Sequence, residues 1–324
     1  GSDVAIATSS AMDVLEKAPG VNVDKDGNIS LRGKSGVVVL IDDRPTYMSN
    51  TDLANYLKSI PASSLEQLEI MTNPSAKYDA EGNSGIINIK TKKTKKPGLN
   101  GNASSSVRYA DQFSSSGSLN FNYRKGKTNL FGNYSFSDNN FKGRQTIKRY
   151  FKDSESNDYT SLFDQLGNRT NHFINNNLKV GLDYYINRNT IVGMAVSGYH
   201  TKGNHLSLSD SWFREISGSP DSGLIVRSLI NGITNNFSAN MNLRHNFDST
   251  GRKMTADVDY IIYDKLQTTS VLTKYIFPDG EEWKPVSLLT GKTPATIQIF
   301  SAKIDFSLPF KNIGLIETGI KGSR

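Results

Sequence analysis

Along the 324 residues the spacing of apolar positions changes once, near residue 97. Ahead of that point helical and strand spacings alternate. In SSAMDVLEKAPG, Ala11, Val14, Leu15 and Ala18 share one helical face, Ser10 stands as the N-cap, and Pro19-Gly20 is the stop. Short strands are predicted over Asn28 to Arg32 and Val37 to Ile41. TDLANYLKSIP places Leu53, Tyr56, Leu57 and Ile60 on one helical face ahead of Pro61. Ser63 and Glu66 have capping-box spacing and predict one more helical turn. LEQLEIMT and SGIINIKT supply two further strands, making residues 1–96 a small α+β domain.

After Pro97-Gly98 the period falls to two. Leu119, Phe121 and Tyr123 alternate with Ser118, Asn120, Asn122 and Arg124. Leu178, Val180, Leu182, Tyr184 and Ile186 are set against Asn177, Lys179 and Asp183, and Phe237, Ala239, Met241, Leu243 and Phe247 against Ser238, Asn240, Asn242, Arg244 and Asn246. One face is apolar and the other is rich in asparagine and charge.

A soluble sandwich alternates in the same way, so the connections discriminate. Short turns fall near Lys125 to Lys127, Asn187 to Asn189, Ser249 to Arg252 and Phe310 to Asn312. Long excursions lie between them, over about 138–169, 200–233 and 263–295. Tight turns on one side and long loops on the other are the habit of a membrane β-barrel, and Tyr109, Tyr123, Tyr184 and Tyr199 near segment ends suit its aromatic girdles. About nine strands are read, an odd number that does not close a bacterial single-chain barrel. An eight-stranded barrel is filled by its own side chains, so a barrel that houses the first domain is on the order of 22 strands. The fold class is therefore an α+β domain followed, over residues 97–324, by antiparallel transmembrane strands of an incomplete barrel, about nine of roughly 22.

Composition narrows the chemistry. A formal charge of +7 over this length does not require a nucleic-acid partner, and the absence of cysteine excludes disulfides and thiolate metal sites. No run approaches the roughly 18 apolar residues of a spanning helix, while a mean hydropathy of -0.46 is compatible with alternating barrel strands. Gly1-Ser2 reads as an appended start. NISLRGKS has the end of a phosphate-binding loop, but Asn28 stands for its first glycine and a strand follows. DKDGN at 24–28 opens like a calcium loop without the later glycine and glutamate, and reads as a turn. His200 and His205 read as solvated residues of a long loop rather than metal ligands, and TKKTKK at 91–96 as a solvated linker. No nucleophile elbow or acid–base arrangement is recognisable, so no catalytic residue, metal or cofactor is assigned.

LEKAPGV, DGNISLRG, VVVLIDDRP and IPASSLEQLEIMTNPSAKYDAEGNSGIINIKTKK, in that order and spacing over about 8–93, resemble the plug domain of a TonB-dependent outer-membrane receptor. The strands that follow are similar to the first part of such a receptor's barrel, of the Bacteroidetes kind. The resemblance implies an outer-membrane protein, not an enzyme, that binds an extracellular nutrient (glycan, peptide, siderophore or cofactor) and gates its import. The implied partners are the inner-membrane TonB complex, outer-membrane lipid, the extracellular ligand and, in some such systems, a surface lipoprotein. No TonB box is read ahead of the first helix, so the chain as it stands is not expected to couple to TonB. Asp43 replaces the commoner glycine, and Asn73-Pro74 the Arg-Gly-Pro usual in siderophore receptors, which weakens a siderophore assignment. Arg32, Lys34, Arg44 and Tyr47 are the candidate ligand contacts, being charged or aromatic residues on loops. Equally, Arg32 and Arg44 suit ion pairs with carboxylates of the barrel wall. A passive or adhesive barrel is the competing reading, and a stopper inside the pore is what separates them.

Overall fold

The computed structural model describes residues 9–24, 27–42, 44–45, 50–60, 62–72, 84–91, 97–248, 250–310 and 314–324. The first part opens with helix α1 (Ala11–Glu16) and a ribbon of β1 (Val21–Val23) and β2 (Ile29–Leu31). A second sheet combines β3 (Val38–Ile41), β4 (Arg44–Pro45), β5 (Leu65–Met71) and β6 (Ile86–Thr91), with helix α2 (Asn50–Ser59) inserted between β4 and β5. Its order is β4-β3-β6-β5, with β3 parallel to β6.

Local chemistry accounts for these elements. The Ser10 hydroxyl accepts the Asp13 N–H at 3.2 Å while the Asp13 carboxylate accepts the Ser10 N–H at 2.6 Å, a reciprocal cap that starts α1. Ala11 and Leu15 of α1 and Leu53, Leu57 and Ile60 in and after α2 form one core with Val39, Ile87 and Ile89. Central strand β6 is buried from Ile86 to Ile89, which is why its apolar run hardly alternates. The DKDGN stretch is the ribbon turn: the Asp24 carboxylate accepts the Asn28 backbone N–H at 2.9 Å and its side-chain amide at 2.7 Å. Gly27 sits at φ 84, where an added Cβ would lie 2.6 Å from the Ala54 Cβ.

The helical turn expected from Ser63 and Glu66 does not form. Ala62–Ser64 is a single 3-10 turn and Glu66 already lies in β5, because pairing with β6 claims the backbone from Leu65 onward. The loop read over 73–83 and the linker residues 92–96 lie outside the described residues.

The second part is a meander of nine antiparallel strands: β7 (Gly98–Ala110), β8 (Gln112–Lys125), β9 (Thr128–Lys152), β10 (Tyr159–Tyr185), β11 (Thr190–Glu215), β12 (Pro220–Asn246), β13 (Lys253–Ile276), β14 (Glu282–Phe310) and β15 (Gly314–Ser323). They form one open sheet ordered β15 to β7, an unclosed barrel wall. The long excursions expected over 138–169, 200–233 and 263–295 are not loops. They are hairpin arms that stay hydrogen-bonded to tight turns at 153–158, 216–219 and 277–281. β10 alone has 27 residues, whereas a tilted strand crosses a membrane in roughly 9–11. Beyond the membrane neither face has to be apolar, so alternation fades while the ladder continues. Residues Glu282 to Gln298 of β14 are exposed on both faces.

Near the short turns the polarity of the wall is inverted relative to a soluble fold. Leu178 is 52% exposed and Met241 61%, while Asn175 and Ser135 are each 1% exposed. Several of the buried groups pair across strands: Asn175 Nδ2 donates to Ser137 Oγ at 3.1 Å, Thr201 Oγ1 to Asn175 Oδ1 at 2.6 Å, and Asn122 Nδ2 to Asn129 Oδ1 at 2.9 Å. On the other face an apolar band runs four outward positions deep, as in Leu130 to Phe136, Leu178 to Tyr184 and Phe237 to Leu243. A polar collar bounds it on the side of the long arms, where Tyr134 donates to Asn176 at 2.8 Å, His172 meets Asp138 at 2.9 Å and His200 meets Asn235 at 2.7 Å. An apolar band outside and a hydrogen-bonded polar lining inside is the arrangement a barrel needs in lipid.

Tyr109, Tyr123 and Tyr184 point outward and are exposed, as expected of girdle residues. Tyr199 does not belong with them. It lies directly opposite Asn177, so it shares the lining face and is buried against the first domain.

Candidate functional site: the first domain against the wall

Three described side-chain contacts join the first domain to the lining face of the wall. Ser64 Oγ donates to Asn120 Oδ1 on β8 at 3.3 Å. The ring of Tyr56 on α2 stands edge-on to Tyr199 on β11, with centroids 5.3 Å apart and planes at 86°. The third contact is ionic. Asp42, at the end of β3, takes a left-handed backbone at φ 52 and turns its carboxylate toward β6 and the wall. There it accepts the Thr91 N–H at 2.8 Å and the Thr91 hydroxyl at 2.8 and 2.9 Å, and forms a short ion pair with Lys179 of β10.

Burial alone would push the Asp42 carboxyl up. The Lys179 ammonium and the three donated hydrogen bonds outweigh it and hold the group down at about 2. Burial pushes the neighbouring Tyr56 phenol up to about 12, and the Asp42 charge adds to that shift. The cluster therefore holds a carboxylate anion, paired with Lys179, and a neutral phenol at neutral pH. Thr91, the last residue of β6, sits within it, so the point where the chain leaves the first domain is tied to the wall.

In the Asp42–Lys179 pair the acid belongs to the first domain and the base to the wall. Sequence reasoning weighed the unusual Asp43 and passed over Asp42, whose signal was an acidic residue closing an apolar strand. Arg32 and Lys34 lie together on a two-residue hairpin turn, both exposed, with Leu31 and Lys34 exchanging backbone hydrogen bonds at 3.0 Å. Arg32 at φ 51 and Gly33 at φ 78 give that turn its shape, and β3 follows, so the resemblance to a phosphate-binding loop has no structural counterpart. Arg44 forms β4 beside Ile41, and Tyr47 lies outside the described residues. No described contact joins Arg32 or Lys34 to Arg44.

His200 and His205 occupy β11, not a loop, and their odd sequence separation puts them on opposite faces of the sheet. Each is hydrogen-bonded to its own asparagine, Asn235 and Asn171 respectively. They cannot share a metal ion.

Residues 4–86 match the TonB-dependent Receptor Plug Domain family, and residues 245–324 match the Outer membrane protein beta-barrel family. Among solved structures the chain is similar to the RagAB peptide importer in its 'open-open' state, at 10% identity and TM-score 0.48 over 98% of this chain and 55% of that one. It is similar to a mutant of the ferric enterobactin receptor PfeA from Pseudomonas aeruginosa, at 10% identity and TM-score 0.45 over 97% and 60% of the two chains. It is also similar to the ferric yersiniabactin uptake receptor FyuA from Yersinia pestis, at 13% identity and TM-score 0.42 over 94% and 61%. The chain thus spans 55 to 61% of the length of these structures. No curated protein sequence matches it.

A β-barrel wall with a separate domain packed on its lining defines a plugged barrel of the outer membrane. The chain carries the plug domain of TonB-dependent receptors over residues 4–86 and, over residues 245–324, strands of the Outer membrane protein beta-barrel family.

Proposed function

We propose that the full receptor binds an extracellular nutrient and gates its import through the plugged barrel, with residues 1–96 as the stopper and 97–324 as part of the wall. The TonB complex of the inner membrane is the energising partner in this reading, and no catalytic step is involved. The observation that supports it is the plug held on the lining by the Asp42–Lys179 pair and the Tyr56–Tyr199 contact. A passive or adhesive barrel has no use for a stopper inside its pore. Arg32, Lys34, Arg44 and Tyr47 are the proposed plug contacts to the ligand, supported for Arg32 and Lys34 by their exposure at a tight hydrogen-bonded turn.

The test is growth of a strain deleted for the receptor on single nutrient sources, complemented with the intact gene in backgrounds with and without a functional TonB complex. A nutrient whose use needs both supports the reading. Growth that is restored equally without TonB sinks it in favour of a passive pore.

A further inference from the structure

The lining face does not end at the plug. From Tyr185 opposite Ile191 to Ser161 opposite Glu215, the β10–β11 register runs without a shift, so the odd-numbered residues that carry Lys179 and Tyr199 continue on one face far up the arms. The adjoining ladders extend the same face to odd residues of β9, even residues of β12 and odd residues of β13 and β14. Above the plug this face spans 141–149, 163–173, 201–213, 222–234, 265–273 and 287–295 in the six long strands. Among these described residues it carries no aspartate or glutamate, but does carry Arg149, Arg169 and Lys265. Acids flank this stretch: Glu215 lies on the same face at the turn above it, Asp183, Asp257 and Asp259 lie lower on that face, and Asp164 and Asp210 lie on the opposite face of the arms.

We propose that this stretch of upper wall, acid-free below Glu215, selects an anionic solute, one bearing carboxylate, phosphate or sulfate groups on a ring or other flat apolar body; the assignment rests on the receptor reading above. Fixed cations on a concave wall without compensating carboxylates focus a positive potential into the lumen. A guanidinium matches the paired oxygens of such anions. Arg169 is held for this role: its guanidinium lies 5.7 Å from the centre of the Phe141 ring. Gly143 leaves it room, since an added Cβ there would stand 2.8 Å from the Arg169 Nε. Higher on the same face Phe163 and Phe213 pair at 5.2 Å and offer the flat apolar surface.

The experiment uses the full receptor in detergent at low salt and three probes that share one ring system: naphthalenedisulfonate, naphthalenediol and a naphthalene bis-ammonium, each followed by equilibrium dialysis. The disulfonate is expected to bind about ten-fold more tightly than the other two, and Arg149→Gln with Arg169→Gln together to weaken it about five-fold or more. Lys148→Gln, on the opposite face of the same strand, is expected to leave binding unchanged. Equal binding of the neutral or cationic probe overturns the proposal. So does an equal loss in Lys148→Gln, an unchanged affinity in the double variant, or binding of no probe. In each of these cases TonB-dependent growth, measured separately, shows whether the receptor reading falls with it.

Discussion

Neutralising Asp42 isolates the charged part of the contact between plug and wall. The carboxyl titrates at about 2 in the folded protein against 3.8 unperturbed. At about 1.4 kcal/mol per pH unit, that gap is worth roughly 2 kcal/mol at neutral pH. The folded value lies below the unfolded one, so the stabilisation is complete above about pH 4 and is lost as pH falls through 2. Asp42→Asn keeps the shape and an acceptor for Thr91 but turns an uncharged amide toward Lys179. Lys179→Met keeps the stem and leaves the carboxylate buried without its cation. In a receptor background free of other cysteines, one introduced at exposed Lys17 gives a site-specific label on the plug. Urea unfolding of the plug in the full receptor can be followed from that label. Each single variant is expected to lose about 2 kcal/mol, and the double variant far less than the two losses added together. Strict additivity, or no loss in either single variant, would refute the view that the pair fastens the plug.

Other positions give sharper local tests. Ser10→Ala should cost about 1 kcal/mol of plug stability in the same assay by removing the reciprocal cap of α1. Gly85→Ala should cost more, about 2 kcal/mol or above, because Gly85 sits at φ 117 and an added Cβ would lie 2.7 Å from Leu31 and 2.8 Å from the Met71 carbonyl oxygen. Met194→Arg places a charge in the middle of the outward apolar band and should lower the fraction of receptor inserted into the membrane, with a cost of about 2–4 kcal/mol. A charge-conserving Lys202→Arg above the collar should insert normally, and equal insertion of the two variants would remove the band assigned to lipid.

Much of this arrangement was legible in the residues. Alternation in Leu178 to Ile186 against Asn177 and Lys179 foretold both faces of β10 correctly, because in lipid the outward residues have no freedom to be polar. The plug helices were legible for the same reason, since Leu53, Leu57 and Ile60 must share a core. The long arms were not. Their ladder is made by backbone groups, which leave no pattern in side chains once both faces meet water. Glu66 misled because capping chemistry is local while the pairing of β5 with β6 joins residues far apart in sequence. Tyr199 misled because an aromatic near a strand end suits a lipid interface and a buried ring contact equally; only register to Asn177 separates them. Asp42 and Lys179 stand 137 residues apart, and no spacing rule connects them.

The parallel pairing of β3 with β6 has a mechanical side. Tension entering from the N-terminal end reaches β3 at Val38, while the chain runs on toward the wall from the opposite end of β6, after Thr91. In a parallel pair loaded in this way the strands are sheared, and every rung from Val38–Ile86 to Ile41–Ile89 bears load at once. The β1–β2 ribbon, whose three residue pairs lie nearer the pull, gives way ahead of them. Traction applied from that side is therefore expected to open the plug in stages, with a stall at the β3–β6 rungs.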